Sequence, residues 1–80
     1  MSIETSNNEN WKGLEALAEK SYDEMYDASS ESECIGLYSE IKECFYDAIR
    51  LAREAGRQDE VERMEKRLEH IKAVYRSQFS

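Results

Sequence analysis

The stretch Ser21–Cys34, "SYDEMYDASSESEC", decides how this chain folds. It carries five carboxylates, two tyrosines and four serines, with no basic residue and no proline. Its second half gives the reason for a helix to begin there. Ser30 and Glu33 have the S-x-x-E spacing of a capping box, in which the serine oxygen accepts from the backbone N–H three residues on and the glutamate reaches back. Ser29 and Ser30 compete for backbone hydrogen bonds, so they favour a helix end over a helix interior. Glu31 and Glu33 then stand at a helix N-terminus, where the macrodipole favours negative charge by about 0.3–1 kcal/mol each. Asp23, Glu24 and Asp27 stand at the wrong end of the preceding helix, which is unfavourable unless a basic group lies near. The stretch reads as a turn between two helices.

On its N-terminal side Trp11, Leu14, Leu17, Ala18, Tyr22, Met25 and Tyr26 recur by threes and fours, the face of an amphipathic helix. A helix is predicted over about 8–28, capped by Ser6 with Glu9 or by Asn8, behind a loose tail of residues 1–7. On the other side Cys34, Ile35, Leu37, Tyr38, Ile41, Cys44, Phe45, Ala48, Ile49, Leu51, Ala52 and Ala55 cover close to half a helix circumference. That breadth suits a central helix packed on two neighbours, predicted over 31–55. Gly56 would end it in a left-handed conformation, with Arg50, Arg53 and Arg57 placing positive charge at the negative helix end. A third helix, predicted over 59–78 and opened by Asp59 with Glu62, carries a narrow seam of Val61, Met64, Leu68, Ile71 and Tyr75, with Phe79 beyond it. Short links make neighbours antiparallel, so the expected fold is all-α, a three-helix antiparallel bundle forming one domain over 8–80. The absence of proline and the three glycines in 80 residues agree with it, since little in the chain interrupts a helix.

Composition excludes several functions. Cys34 and Cys44 lie ten residues apart on one helix, about 15 Å, too far for a disulfide within the chain. They are expected as buried, reduced thiols of a cytoplasmic protein. One histidine, His70, and no CxxC pair leave no zinc site. Asp23, Asp27, Glu31 and Glu33 lack the glycine and the D-x-[DN]-x-[DN]-G order of a calcium loop, so no metal and no cofactor is expected. The polar start "MSIETSNNEN" has no signal-peptide pattern, and no apolar run is long enough to span a membrane. A nucleophile needs a base beside it, and the sequence neighbours of both cysteines are acids, so the chain is not expected to be an enzyme.

Charge is uneven. Residues 1–49 hold twelve acids and three bases, residues 50–80 six acids and eight bases, net −9 and +2, which recovers the total of −7. Arg50, Arg53, Arg57, Arg63 and Arg67 gather near the Gly56 turn, but no aromatic residue lies among them and the whole chain repels a polyanion. No nucleic-acid partner is expected. Lys72 and Arg76, returning beside the first turn, are expected to neutralise part of Asp23, Glu24 and Asp27. Five tyrosines and a tryptophan are more than a small bundle can bury. Tyr46 falls opposite Ile41 and Ala48 and should be exposed. Tyrosine favours interfaces because an apolar body carries a polar tip.

Residues 44–68, "CFYDAIRLAREAGRQDEVERMEKRL", resemble part of a tetratricopeptide array, the second helix of one repeat running into the first of the next. Tyr46, Ala48, Ile49, Ala52 and Gly56 carry the likeness. No 34-residue period repeats, and "WKGLEAL" has its glycine ahead of its leucine. The resemblance implies a surface that binds a peptide or helix of a partner.

These readings converge on a non-catalytic helical interaction module, self-associating as a homodimer or binding a protein partner. The expected surface is Trp11, Tyr22, Tyr26, Tyr46, Tyr75 and Phe79. The alternative is an acidic stoichiometric inhibitor, such as an antitoxin, an immunity protein or a nucleic-acid mimic. It would present Asp23, Glu24, Asp27, Glu31 and Glu33, with Glu15, Glu19, Glu40, Glu43 and Asp47, to a basic partner.

Overall fold

The capping box forms at Ser30. In the computed structural model, which describes residues 9–79, Ser30 is extended (φ −145°, ψ 160°) and its Oγ accepts from the Glu33 N–H at 3.1 Å. The Glu33 carboxylate reaches back one residue further than the simplest box, accepting from the Ser29 N–H at 3.2 Å and the Ser29 hydroxyl at 3.1 Å. Helix α2, Glu31–Glu54, starts there with Glu31 and Glu33 in its first turn. Helix α1, Trp11–Met25, stops three residues before the predicted end. The N–H groups of Tyr26, Asp27 and Ala28 bond to carbonyls three residues back, at 3.0–3.3 Å, so the chain tightens out of the α-helix before the serines.

At the other end Gly56 takes φ 74°, the left-handed conformation. The Arg57 N–H bonds to the Ala52 carbonyl at 2.9 Å and the Gly56 N–H to the Arg53 carbonyl at 3.0 Å, the paired bonds of a Schellman motif. Helix α3, Gln58–Val74, follows without a linker. Asp59 is therefore not the cap that its spacing to Glu62 indicated. It lies inside the first turn, forked by Arg57 (Nε–Oδ1 3.2 Å, Nη2–Oδ2 3.1 Å), because the Arg57 carbonyl already accepts from Glu60 and Val61. Residues Tyr75–Phe79 form a π-helical turn rather than a continuation of α3. The α1 cap also differs from expectation. The helix begins at Trp11, Asn10 makes no side-chain cap bond, and Ser6 and Asn8 lie outside the described residues.

The three helices form an all-α bundle with α2 in the middle. Ser21 facing Glu40 sets α1 antiparallel to α2, and Arg53 facing Glu65 does the same for α2 and α3. Arg63 on Glu15 and Arg67 on Glu19, each step four residues on both helices, fix α1 and α3 as parallel. The core gathers Trp11, Ala18 and Met25 from α1, Ile41, Phe45, Ala48 and Ala52 from α2, and Val61, Met64, Leu68 and Ile71 from α3. Four residues placed on apolar faces by spacing are exposed instead: Leu17 at 55%, Ile35 at 50%, Tyr26 and Ala55. Cys34 is buried and Cys44 half-buried, both as free thiols.

Candidate functional site

The end of the bundle holding the α1–α2 turn carries a belt of aromatic rings. It runs from Tyr22 to Tyr26 (centroids 5.5 Å, edge-on), to Phe79 (5.1 Å, edge-on), to Tyr75 (6.1 Å) and on to Tyr38, stacked on Tyr75 at 3.7 Å and 2°. The π-helical turn makes this possible, because it carries both Tyr75 and Phe79 and lays them across the ends of α1 and α2. The Tyr22 and Tyr26 hydroxyls bond at 3.1 Å. That bond first, and burial second, push the Tyr22 phenol up to about 12. A cation closes each end of the belt: the Arg67 guanidinium lies 5.3 Å from the Tyr22 ring and the Lys42 ammonium 4.6 Å from Tyr38. In the middle Tyr26 is 53% exposed.

Negative charge surrounds that middle. Tyr26 follows Asp23 and Glu24 and precedes Asp27, and no basic residue stands in the last turn of α1. Glu31 is near enough to Tyr75 to help push its phenol up, after burial and the fields of Cys34 and Tyr38. Of Lys72 and Arg76, expected to answer these acids, Lys72 lies 5.4 Å over the Tyr46 ring, whose nearness raises the Lys72 pKa, while Arg76 stands in the π-helical turn between Tyr75 and Phe79.

The opposite end is electrostatically closed. Arg50 pairs with Asp47, Arg53 with Glu65 and Arg57 with Asp59, and midway along the bundle Arg67, the cation on Tyr22, pairs with Glu19. Arg63 forks Glu15 at 2.7 and 2.9 Å and also bonds Glu60. The arginines gathered by sequence therefore do not form a free basic patch, and Glu15 and Glu19 are not free for an external partner. Arg63, then desolvation working against it, holds Glu60 below the usual carboxylate range. The Trp11 indole N–H is buried without a strict hydrogen bond, but close enough to Glu60 to favour its ionised form.

A groove of about 460 Å³ runs between α2 and α3. Its floor is Ile49 and Leu68, and its walls are Tyr46 with Lys72 and Arg53 with Glu65. Among the described residues no three His, Cys, Asp or Glu side chains are grouped to hold a metal ion, and no helix is long and apolar enough to cross a membrane. The Cys44 thiol is pushed up by burial, then by Glu40, Asp47 and Glu43, the reverse of what a nucleophile needs.

Of the six residues expected to form a surface, four meet in the belt: Tyr22, Tyr26, Tyr75 and Phe79. Trp11 does not belong to it. At 1% exposure it is a core residue under Arg57, and Tyr22, at 9%, offers little more than its hydroxyl. Tyr46 is 50% exposed, as its angle on α2 required, but on the groove. Sequence reasoning missed Tyr38 and Arg67. Tyr38 was hidden among the apolar residues of α2, although its four-residue step from Cys34 toward Lys42 placed it at an edge. Compared with family models, with curated proteins and with solved structures, the chain matches none.

Proposed function

We propose that this chain is a small non-catalytic interaction module that packs the aromatic end of its bundle against a protein. The observation that supports this most is Tyr26, a large ring left half outside and ringed by other aromatics, at the end of the bundle opposite the one where the arginines are paired with carboxylates. Tyrosine and phenylalanine concentrate where interfaces bury most area. A second copy could take the same surface and give a homodimer. The tetratricopeptide-like stretch 44–68 would offer the α2–α3 groove, with Tyr46 at its rim, to a partner helix. The test is capture of partners from native lysate on the purified chain, washed at low and then high salt, with sedimentation velocity of the chain alone. A partner retained in high salt, or a dimer lost on Tyr26→Ala, is expected. No retained protein and a monomer at all concentrations would overturn the proposal.

A second reading, an acidic stoichiometric inhibitor, draws support from Asp23, Glu24 and Asp27 beside an α1 end that has no basic residue in its last turn. Glu15 and Glu19 drop out of that surface. It predicts a basic partner released by the high-salt wash, insensitive to Tyr26→Ala.

A further inference from the structure

We infer that Tyr26 and Phe79 dock a lysine- or arginine-bearing segment of another protein, its cation on the Tyr26 face and its flanking bases against Asp23, Asp27 and Glu31. The inference rests on the interaction-module reading and names the chemistry of the partner. The chain itself shows the pairing it uses. Trp11, Tyr22, Tyr38 and Tyr46 lie under Arg57, Arg67, Lys42 and Lys72 at 4.6–5.7 Å. Tyr26, the most exposed tyrosine, meets the Tyr22 and Phe79 rings and the Tyr22 hydroxyl. Tyr75 also stands outside the series, but it is stacked on Tyr38 and half-buried, which leaves Tyr26 as the exposed ring of the two.

The surroundings select for positive charge. Asp23 and Glu24 sit in the last turn of α1, where the helix dipole is already negative, and no basic residue shares that turn. A cation bound there relieves both the dipole and the carboxylates, and the face of a tyrosine attracts it independently. A second copy is a poor source of that cation. The chain carries a net charge of −7, and Lys12, Arg50, Arg53, Arg57, Arg63 and Arg67 are already paired with carboxylates of their own chain.

The test is an amide chemical-shift titration of the isotope-labelled full chain with a synthetic amphipathic peptide of lysine and leucine. The same peptide with glutamate for lysine is the control. Shifts are expected around Tyr26–Glu31 and Ser77–Phe79, with no response to the acidic peptide. Tyr26→Ala and Tyr26→Leu, the second keeping bulk without a π face, should each weaken binding about three- to fivefold. Asp23→Asn with Asp27→Asn should weaken it further and flatten its salt dependence, whereas Tyr46→Ala should leave it unchanged. Shifts spread equally over Glu62 and Glu69 on α3, equal binding of the acidic peptide, or no effect of either Tyr26 variant would overturn the inference. If the chain forms a dimer through Tyr26, or a captured partner binds Tyr26→Leu undiminished, the inference fails while the interaction module stands. Absence of any partner or dimer removes the module itself.

Discussion

At the Gly56 end of the bundle Trp11 is 1% exposed and lies under the Arg57 guanidinium, and each nearby arginine meets a carboxylate. At the α1–α2 turn Tyr26 is 53% exposed among acids that Lys72 does not answer. The two ends draw on the same residue types, aromatic rings and charged side chains. At one end they are spent inside the chain and hold the helices together. At the other they are left facing outward, and α1 ends in the unfavourable company of its own carboxylates. The fold thus separates an end built for stability from an end that stability alone does not explain.

The sharpest way to break that comparison is to truncate one ring at each end. Trp11→Ala should cost about 3–5 kcal/mol, the range for emptying a fully buried aromatic site, which for a chain of this size comes close to unfolding it. Tyr26→Ala should cost far less, about 0.5–1.5 kcal/mol for the hydroxyl bond to Tyr22, because the ring itself is half outside. Urea midpoints of both variants measure the contrast, and equal losses would mean that the Tyr26 end is structural after all.

The turns come next. Gly56→Ala meets open space for its Cβ, so its cost is the left-handed backbone alone, roughly 1–2 kcal/mol. Ser30→Ala removes the one side-chain cap of α2, about 1 kcal/mol. Thermal unfolding of the two variants compares the ends directly, and a larger loss at Ser30 than at Gly56 would reverse their assigned roles.

Both of those turns were legible in the sequence, because S-x-x-E and a glycine after a run of alanine and leucine each act within a few residues. The helix order and most of the core followed from spacing for the same reason. What spacing could not resolve was which of two neighbouring apolar residues points inward. Trp11 was placed on an interface and proved to be core, while Leu17 and Ile35 proved exposed, since one helix face cannot show how far the next helix wraps around it. The aromatic belt needed the π-helical turn at Tyr75–Phe79, which nothing in "YRSQF" announces. The closure of the arginines needed partners 48 residues away, Glu15 for Arg63 and Glu19 for Arg67, which only the parallel register of α1 and α3 supplies.

A smaller effect tests whether the acids at the Tyr26 end work against the fold. Asp23→Asn and Glu24→Gln remove negative charge from the negative end of α1, so each should stabilise the chain by about 0.3–1 kcal/mol at low salt, with the gain shrinking as salt rises. Urea unfolding at two ionic strengths decides it. A loss of stability on neutralising either would place these carboxylates in a structural role and remove the contrast between the ends.

Tyr22→Phe deletes one hydroxyl bond in the belt, about 0.5–1.5 kcal/mol at neutral pH. Its value lies in the alkaline range. The folded Tyr22 phenol is pushed up to about 12 from 10.0, first by the bond to Tyr26 and then by burial. The protonated form is the one the fold favours, so its contribution is complete below pH 10 and is lost as pH rises through the folded value. Other tyrosines and lysines titrate in the same window, but they do so in both proteins. The wild type should therefore lose stability faster than Tyr22→Phe between pH 10 and 12, and the two urea midpoints should approach one another. Parallel midpoints across that range would show that the Tyr22–Tyr26 bond does not hold the proton, and the belt would then be a set of packed rings without a polar link between its buried and its exposed member.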